Sequence, residues 1–238
     1  METGEEGRLV VVSGAAKGIG RSCVELFVER GWKALAIDLD KGVGTAFSET
    51  AVTGIAVDVT CERALRSAFD DVGSPVTAVV NAAGVFPPTS LTTFDEAQYR
   101  SIFDVNVLGS LLVSREAVRS MPAGGAIVNL CSTNGFVARP DQLLYAASKA
   151  AILSVTRSLA AELAPRRIRV NGIAPGPVDT EGFRALPGRA EQAEREVPLG
   201  RIQTAAEVAE LAYWLVEGSG AQFITGETIV SSGGLFMR

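Results

Sequence analysis

Tyr145 and Lys149 stand one helical turn apart in Tyr145-Ala146-Ala147-Ser148-Lys149, and Ser132 lies a short way upstream of both. On a helix, i,i+4 spacing brings a phenol and an ammonium to one face. A cation beside a phenol favours the phenolate and lowers the tyrosine pKa from its ordinary value of about 10. Such a tyrosine exchanges a proton with a substrate oxygen near neutral pH. The chain contains no histidine, so the commonest acid–base side chain is missing. Taken alone, the pair is an ordinary feature of helix surfaces, and the rest of the chain has to give it meaning.

A second signal opens the chain. Ser13-Gly14-Ala15-Ala16-Lys17-Gly18-Ile19-Gly20 follows the apolar run Leu9-Val10-Val11-Val12 and begins a helical pattern. Glycines there permit a tight turn and close backbone approach to a pyrophosphate at a helix amino end. Asp38 closes the next strand, where a carboxylate accepts the adenosine ribose hydroxyls and repels a 2′-phosphate. Leu39 supplies no cation for such a phosphate. Lys17 is a competing indication, because an ammonium in the turn can pair with one. Asp38 sits directly at the ribose while Lys17 can swing away, so NAD is expected over NADP.

Composition narrows the classes. With 238 residues, 47% of them hydrophobic, the chain fits one large α/β domain over 1–238. The net charge of −5 and the lack of a Lys/Arg cluster give nucleic acid no electrostatic footprint. The amino terminus lacks a signal-peptide pattern and no apolar run is long enough for a membrane span, so a cytoplasmic protein is expected. Cys23, Cys61 and Cys131 have no CxxC spacing, and are read as reduced, mostly buried thiols with no metal site.

Short β-branched runs alternate with helical patterns, as in βαβ units with a parallel sheet. Strands are expected at 9–12, 34–37, 55–57, 76–80, 126–130, 168–171 and 223–230. Long helices are expected at about 95–120 and 142–163, the second carrying Tyr145 and Lys149. The charged segment 180–198, with Pro187-Gly188, interrupts the alternation and is expected to be a substrate loop.

Ser13-Gly14-x-x-x-Gly18-x-Gly20, Asn81-Ala82-Ala83-Gly84, Ser132, Tyr145-x-x-x-Lys149 and Pro175-Gly176 occur in this order. Together they make the chain resemble the short-chain dehydrogenase/reductase family, in its compact single-domain branch, from about Arg8 to Gly234. The resemblance implies a doubly wound, Rossmann-type sheet of seven parallel strands in the order 3-2-1-4-5-6-7. It implies a catalytic set of Asn106, Ser132, Tyr145 and Lys149. Gly14, Gly18, Ile19 and Gly20 would form the pyrophosphate turn, with Asp58 and Val59 at the adenine; a helix-capping role for Asp58 remains an alternative. Asn81, Ala82, Ala83 and Gly84 would pack over the adenosine ribose. Pro175, Gly176, Val178 and Thr180 would cup the nicotinamide, and Lys149 would bind its ribose. An asparagine inside a helix needs a reason such as a local bend or a bound water, and the family gives Asn106 a water that links the lysine to solvent. A homotetramer is implied, with the long helices after strands four and five at one interface.

The expected reaction is hydride exchange between NAD(H) and a secondary alcohol or ketone. An NADP-dependent carbonyl reductase is the alternative, and a catalytically silent nucleotide-binding scaffold or sensor is the alternative from another class. An isomerase or lyase using NAD transiently is disfavoured, since relatives of that kind generally carry an added substrate domain. Phe86, Pro87, Pro88, Asn134, Gln142, Phe183 and Leu186 are expected near the substrate, with Arg184 or Arg189 open to an anionic group. Ser231-Ser232 replace the family's usual valine-aspartate and are expected to change local structure near the carboxyl end, with consequences for subunit contacts and none for the chemistry.

Overall fold

Leu9–Ser13 forms β1, and every residue in it is buried. A continuous apolar run of this kind belongs to a strand covered by helices on both faces. The computed structural model describes residues 7–185 and 188–237. Around β1 lie β2 (Lys33–Asp38), β3 (Val52–Ala56), β4 (Ala78–Asn81), β5 (Ala126–Leu130), β6 (Arg169–Pro175) and β9 (Thr228–Ser231), in the order β3-β2-β1-β4-β5-β6-β9. All neighbours are parallel. This is the expected seven-stranded topology. Two additional two-residue strands, β7 (Val178–Asp179) and β8 (Gln203–Thr204), pair outside the main sheet.

Alternate residues of β1 feed the two cores. Val10 and Val12 pack with Phe27 of α1 (Gly18–Glu29) and Leu215 of α8 (Ala205–Glu217). Leu9 and Val11 pack on the other face with Leu65 of α2 (Glu62–Val72), Val113 of α4 (Ser110–Ser120) and Leu163 of α5 (Leu143–Leu163). Arg169 fastens α8 by donating to the carbonyls of Leu215 at 2.6 Å and Val216 at 2.8 Å, a favourable use of a cation at a helix carboxyl end.

Several boundaries differ from the sequence reading. The third strand starts at Val52 rather than Ile55, and the fourth runs 78–81 rather than 76–80. The sixth extends to Pro175. The last begins at Thr228, because Gly226 at φ +80° turns the chain and leaves Phe223 fully exposed ahead of it. The single helix expected over 95–120 is three segments. α3 (Glu96–Phe103) opens with a capping box between Asp95 and Gln98, a π turn occupies Asp104–Gly109, and α4 follows. Of the three cysteines, Cys23 and Cys131 are buried but Cys61 is exposed; all are free. Segment 180–198 holds two short helices, α6 (Glu181–Arg184) and α7 (Arg189–Glu196). Leu186 and Pro187 lie outside the described residues. No helix among those described is long and apolar enough to cross a membrane.

The strand order reverses between β1 and β4, which opens a crevice at their carboxyl ends. Gly14, at φ +70°, lies so close to the Ala82–Ala83 backbone that a Cβ would come within 2.7 Å of the Ala83 nitrogen. The Ala83 N–H also donates to the Ser13 hydroxyl at 3.3 Å. A Cβ on Gly20 would collide with the Gly14 carbonyl oxygen, so the turn can fold back onto α1 only with glycine there. Gly20→Ala should therefore cost about 1–3 kcal/mol by urea denaturation. Gly44→Ala, whose Cβ would meet nothing closer than the Gly54 oxygen at 3.7 Å, should stay within about 0.5 kcal/mol.

Candidate active site

β5 ends at Leu130, and the chain then turns so that Ser132 caps a short 3-10 turn, Thr133–Gly135, its Oγ accepting from the Asn134 N–H at 3.1 Å. That turn lies against α5: a Cβ on Gly135 would sit 3.0 Å from the Lys149 backbone. Tyr145 stands in the first turn of α5 and Lys149 one turn later. The buried Lys149 Nζ donates to the Leu130 carbonyl at 2.7 Å and lies 5.8 Å from the centre of the Tyr145 ring. Phe86 packs edge-on against that ring.

Asn106, wholly buried in the π turn, ties these pieces together. Its Oδ1 accepts from the Val85 N–H at 2.8 Å, and its Nδ2 donates to the Val85 carbonyl and the Ser148 hydroxyl, both at 3.0 Å. The local departure expected at this asparagine is thus a π turn, and the side chain is spent on protein partners. From its carbonyl a polar ladder runs inward. Ser110 Oγ donates to the Asn106 carbonyl, Ser114 Oγ to the Ser110 carbonyl, and Asn81 Nδ2 to both Ser114 Oγ and Asn129 Oδ1. Asn129 Nδ2 continues to Thr156 Oγ1 on α5. Asn81 is therefore a structural tie under the site.

Burial controls the proton chemistry. It pushes the Tyr145 phenol above its ordinary value; the Ser132 hydroxyl pulls the other way, and Cys131 adds to the rise. The lowering of this pKa by Lys149, expected from the spacing, is absent: the ammonium donates to the Leu130 carbonyl and stands 5.8 Å from the ring centre, and burial is the largest influence on the phenol. Burial brings Lys149 itself down to about 8. Both groups are displaced toward their neutral forms.

The adenosine side of the crevice is organised by Asp38. Its Oδ2 accepts from the Ala16 N–H and its Oδ1 from the Asp40 N–H, both at 2.9 Å, which fixes the carboxylate against the glycine turn. Leu39 and Lys17 are exposed. Asp58 does not cap α2, whose N-cap is Cys61; its Oδ1 instead accepts from the Thr60 N–H and hydroxyl at 2.9 and 2.8 Å. Val59 packs beneath, against Gly109. Gly18, at φ +57°, leaves room for Thr180, whose methyl would lie 3.2 Å from a Cβ there. The bare backbone of the turn, the amino end of α1 and the fixed carboxylate suit a dinucleotide's pyrophosphate and ribose.

A cleft of about 230 Å³ continues from this turn to the tyrosine. From the expected cofactor side it collects Ile19, Ala82, Gly84, Pro175, Gly176, Val178 and Thr180, and from the substrate side Phe86, Asn134, Gln142 and Phe183. Pro88 borders only an outer recess, and Pro87 lines neither. Arg184 is paired with the Asp179 carboxylate. Sequence reasoning missed Arg139, Gln192, Glu196 and Leu235 in the cleft wall. Leu235 arrives there through Ser232, whose Oγ accepts from the Phe236 N–H and donates to the Phe236 carbonyl, both at 3.1 Å, while Phe236 stacks on Phe136. The local change expected at Ser231-Ser232 is thus the Ser232–Phe236 turn, which sets Leu235 in the cleft wall. Its signal was present only as an unusual residue pair.

A family model described as Enoyl-(Acyl carrier protein) reductase matches residues 14–236. The chain is 39% identical over 97% of its length to an uncharacterized short-chain type dehydrogenase/reductase of Sinorhizobium fredii, of which it spans only 44%. Among solved structures, a 3-oxoacyl-(acyl-carrier protein) reductase with bound NAD from Brucella melitensis superimposes with a TM-score of 0.90 at 34% identity, covering 98% of this chain and 93% of that one. A blue fluorescent protein from a metagenomic library, in complex with NADPH, gives a TM-score of 0.91 at 28% identity, covering 97% of this chain and 98% of that one.

The depressed Lys149 pKa has a measurable effect on folding. Between its folded value of about 8 and the ordinary 10.5, the unfolded chain holds a proton that the folded chain does not, so this group makes stability rise with pH. Cys23 and Cys131, raised from 9.0 to about 12 and about 11, act oppositely above pH 9. Between pH 8 and 9 the urea stability of the wild type should gain on that of Lys149→Met, by a slope of at most about 1.4 kcal/mol per pH unit.

Proposed function

The chain belongs to the short-chain dehydrogenase/reductase family, and from that premise we propose that it interconverts a secondary alcohol and its ketone, using NAD(H). The observation that carries this reading is the meeting of Ser132, Tyr145 and Lys149 in one cleft that continues to the glycine turn at Ile19. When bound, the nicotinamide supplies the carbon that accepts or returns a hydride and, oxidised, a positive charge.

The protein's own part is proton transfer and placement. In reduction the neutral Tyr145 phenol, the form that burial favours, donates its proton to the substrate carbonyl oxygen; in oxidation the phenolate takes it from the hydroxyl. Ser132 Oγ donates to the same oxygen and stabilises charge developing there. Lys149 holds the nicotinamide ribose. Asn106 acts through others, fixing Val85 on one side and Ser148, next to Lys149, on the other. Without its phenol the site loses both acid and base, so Tyr145→Phe should lower kcat by roughly 10²–10⁴-fold. NAD affinity, measured by titration, should be nearly unchanged. A near wild-type rate would refute the assignment.

Asp38, already oriented by two backbone N–H groups, would accept ribose hydroxyls and repel a 2′-phosphate. The exposed Lys17 favours the second reading, an NADP-dependent carbonyl reductase. Comparing kcat/KM for the two nucleotides separates them: the wild type should prefer NAD, and Asp38→Ala with Leu39→Arg should move the preference toward NADP. A wild type that prefers NADP would overturn the role given to Asp38.

A homotetramer is part of the same reading. Tyr99 on α3, Leu108 in the π turn and Leu143 on α5 are large apolar side chains left more than one-third exposed, on the helices expected at one interface. Sedimentation at micromolar concentration should give four times the mass of the chain.

A further inference from the structure

The two arginines of segment 180–198 have different surroundings. Arg184 is spent, its guanidinium held by both oxygens of Asp179. Arg189, at the start of α7, is half-buried, and its side chain has no hydrogen bond or ion pair among the described residues. It lines both the catalytic cleft and the outer recess that continues past Phe86 and Pro88. Neither carboxylate that shares these walls pairs with it: Glu196 accepts from Gln192 Nε2 at 2.7 Å and pairs with Arg139 at 3.5 Å, and the exposed Asp141 borders the outer recess. The charge of Arg189 is the smallest of the influences that lower the Glu196 pKa, after its hydrogen bond from Gln192 and its pairing with Arg139. A guanidinium carries five donors in a planar fork and accepts nothing, so an arginine side chain that lines a cleft without a protein partner has its donors open to a ligand. It is a good reader of an anionic oxygen group, which a guanidinium binds by two parallel hydrogen bonds.

We propose that Arg189 selects substrates that carry an anionic oxygen group, a carboxylate or a phosphate ester, at the end remote from the reacting carbon. This deepens the alcohol–ketone reading and rests on it for the placement of the reacting end at Tyr145. The middle of such a substrate runs along Phe86, so an apolar spacer joins the two ends. Arg139 lies beside the same path, but Glu196 already partners it, and Arg189 is the residue that decides.

The test uses the full chain, with and without NADH, and ligand-observed NMR. The probes are oxo acids of increasing length, their methyl esters, and oxoalkyl phosphates. In the wild type at least one acid or phosphate should bind about 10-fold or more tightly than its neutral counterpart, in keeping with a charge-assisted bidentate pair. Arg189→Gln should bring that ratio close to one. Arg189→Lys should keep part of it, and Arg184→Gln all of it. Whether carboxylate or phosphate binds more tightly identifies the group. Equal binding of acids and esters, no binding of any charged probe, or an unchanged ratio in Arg189→Gln would each overturn the proposal. If the charged probes bind through Arg189 but neither nucleotide supports their turnover, the dehydrogenase reading fails and the anion site stands.

Discussion

The site depends on one buried amide. Asn106 uses both of its side-chain atoms to hold the loop leaving β4 and the hydroxyl of Ser148, and its backbone carbonyl starts the ladder that ends at Thr156. An unsatisfied polar group at any rung would cost on the order of 1–3 kcal/mol, so the rungs define one another's positions. β4, β5, α4 and α5 are thereby locked in a single relative arrangement below the cleft. The ladder leaves one loose end, the Asn81 Oδ1, which is buried without a partner.

Above that frame the electrostatics are dominated by burial of the two side chains. A lysine without a carboxylate partner sits on a carbonyl, and a tyrosine is kept from ionising by burial more than it is helped by its serine. Spacing in the sequence placed the two side chains on one face, but distance from the lysine to the ring is not the same as contact with the phenol oxygen. Position and titration are set by different neighbours here.

What could be read from the chain was mostly local. Gly14, Gly18 and Gly20 carry their meaning in a single turn, and the buried run 9–12 announces a covered strand. Tyr145 and Lys149 need only a helix between them. The misreadings arose where distant residues decide. Nothing near Leu235 says that it borders a cleft; that follows from the Ser232 turn and from Phe136, far away in sequence. Phe223 looked like the start of a strand because aromatic residues favour strands, whereas Gly226 postpones it. The long helix is expected without its interruption because the segments on both sides are themselves helical, and only the buried polar Asn106 hints at it.

That interruption gives the helix an unusual vulnerability. A π turn holds one residue more than an α-helix of the same rise would need. Removing Val107 would let α3 and α4 merge into an ordinary helix, with a more regular hydrogen-bond pattern. The merged helix would rotate Asn106 away from Val85 and Ser148. At this point in the chain, the geometry of the cleft is held in place by length as well as by residue type, so a one-codon deletion would be more damaging than most substitutions.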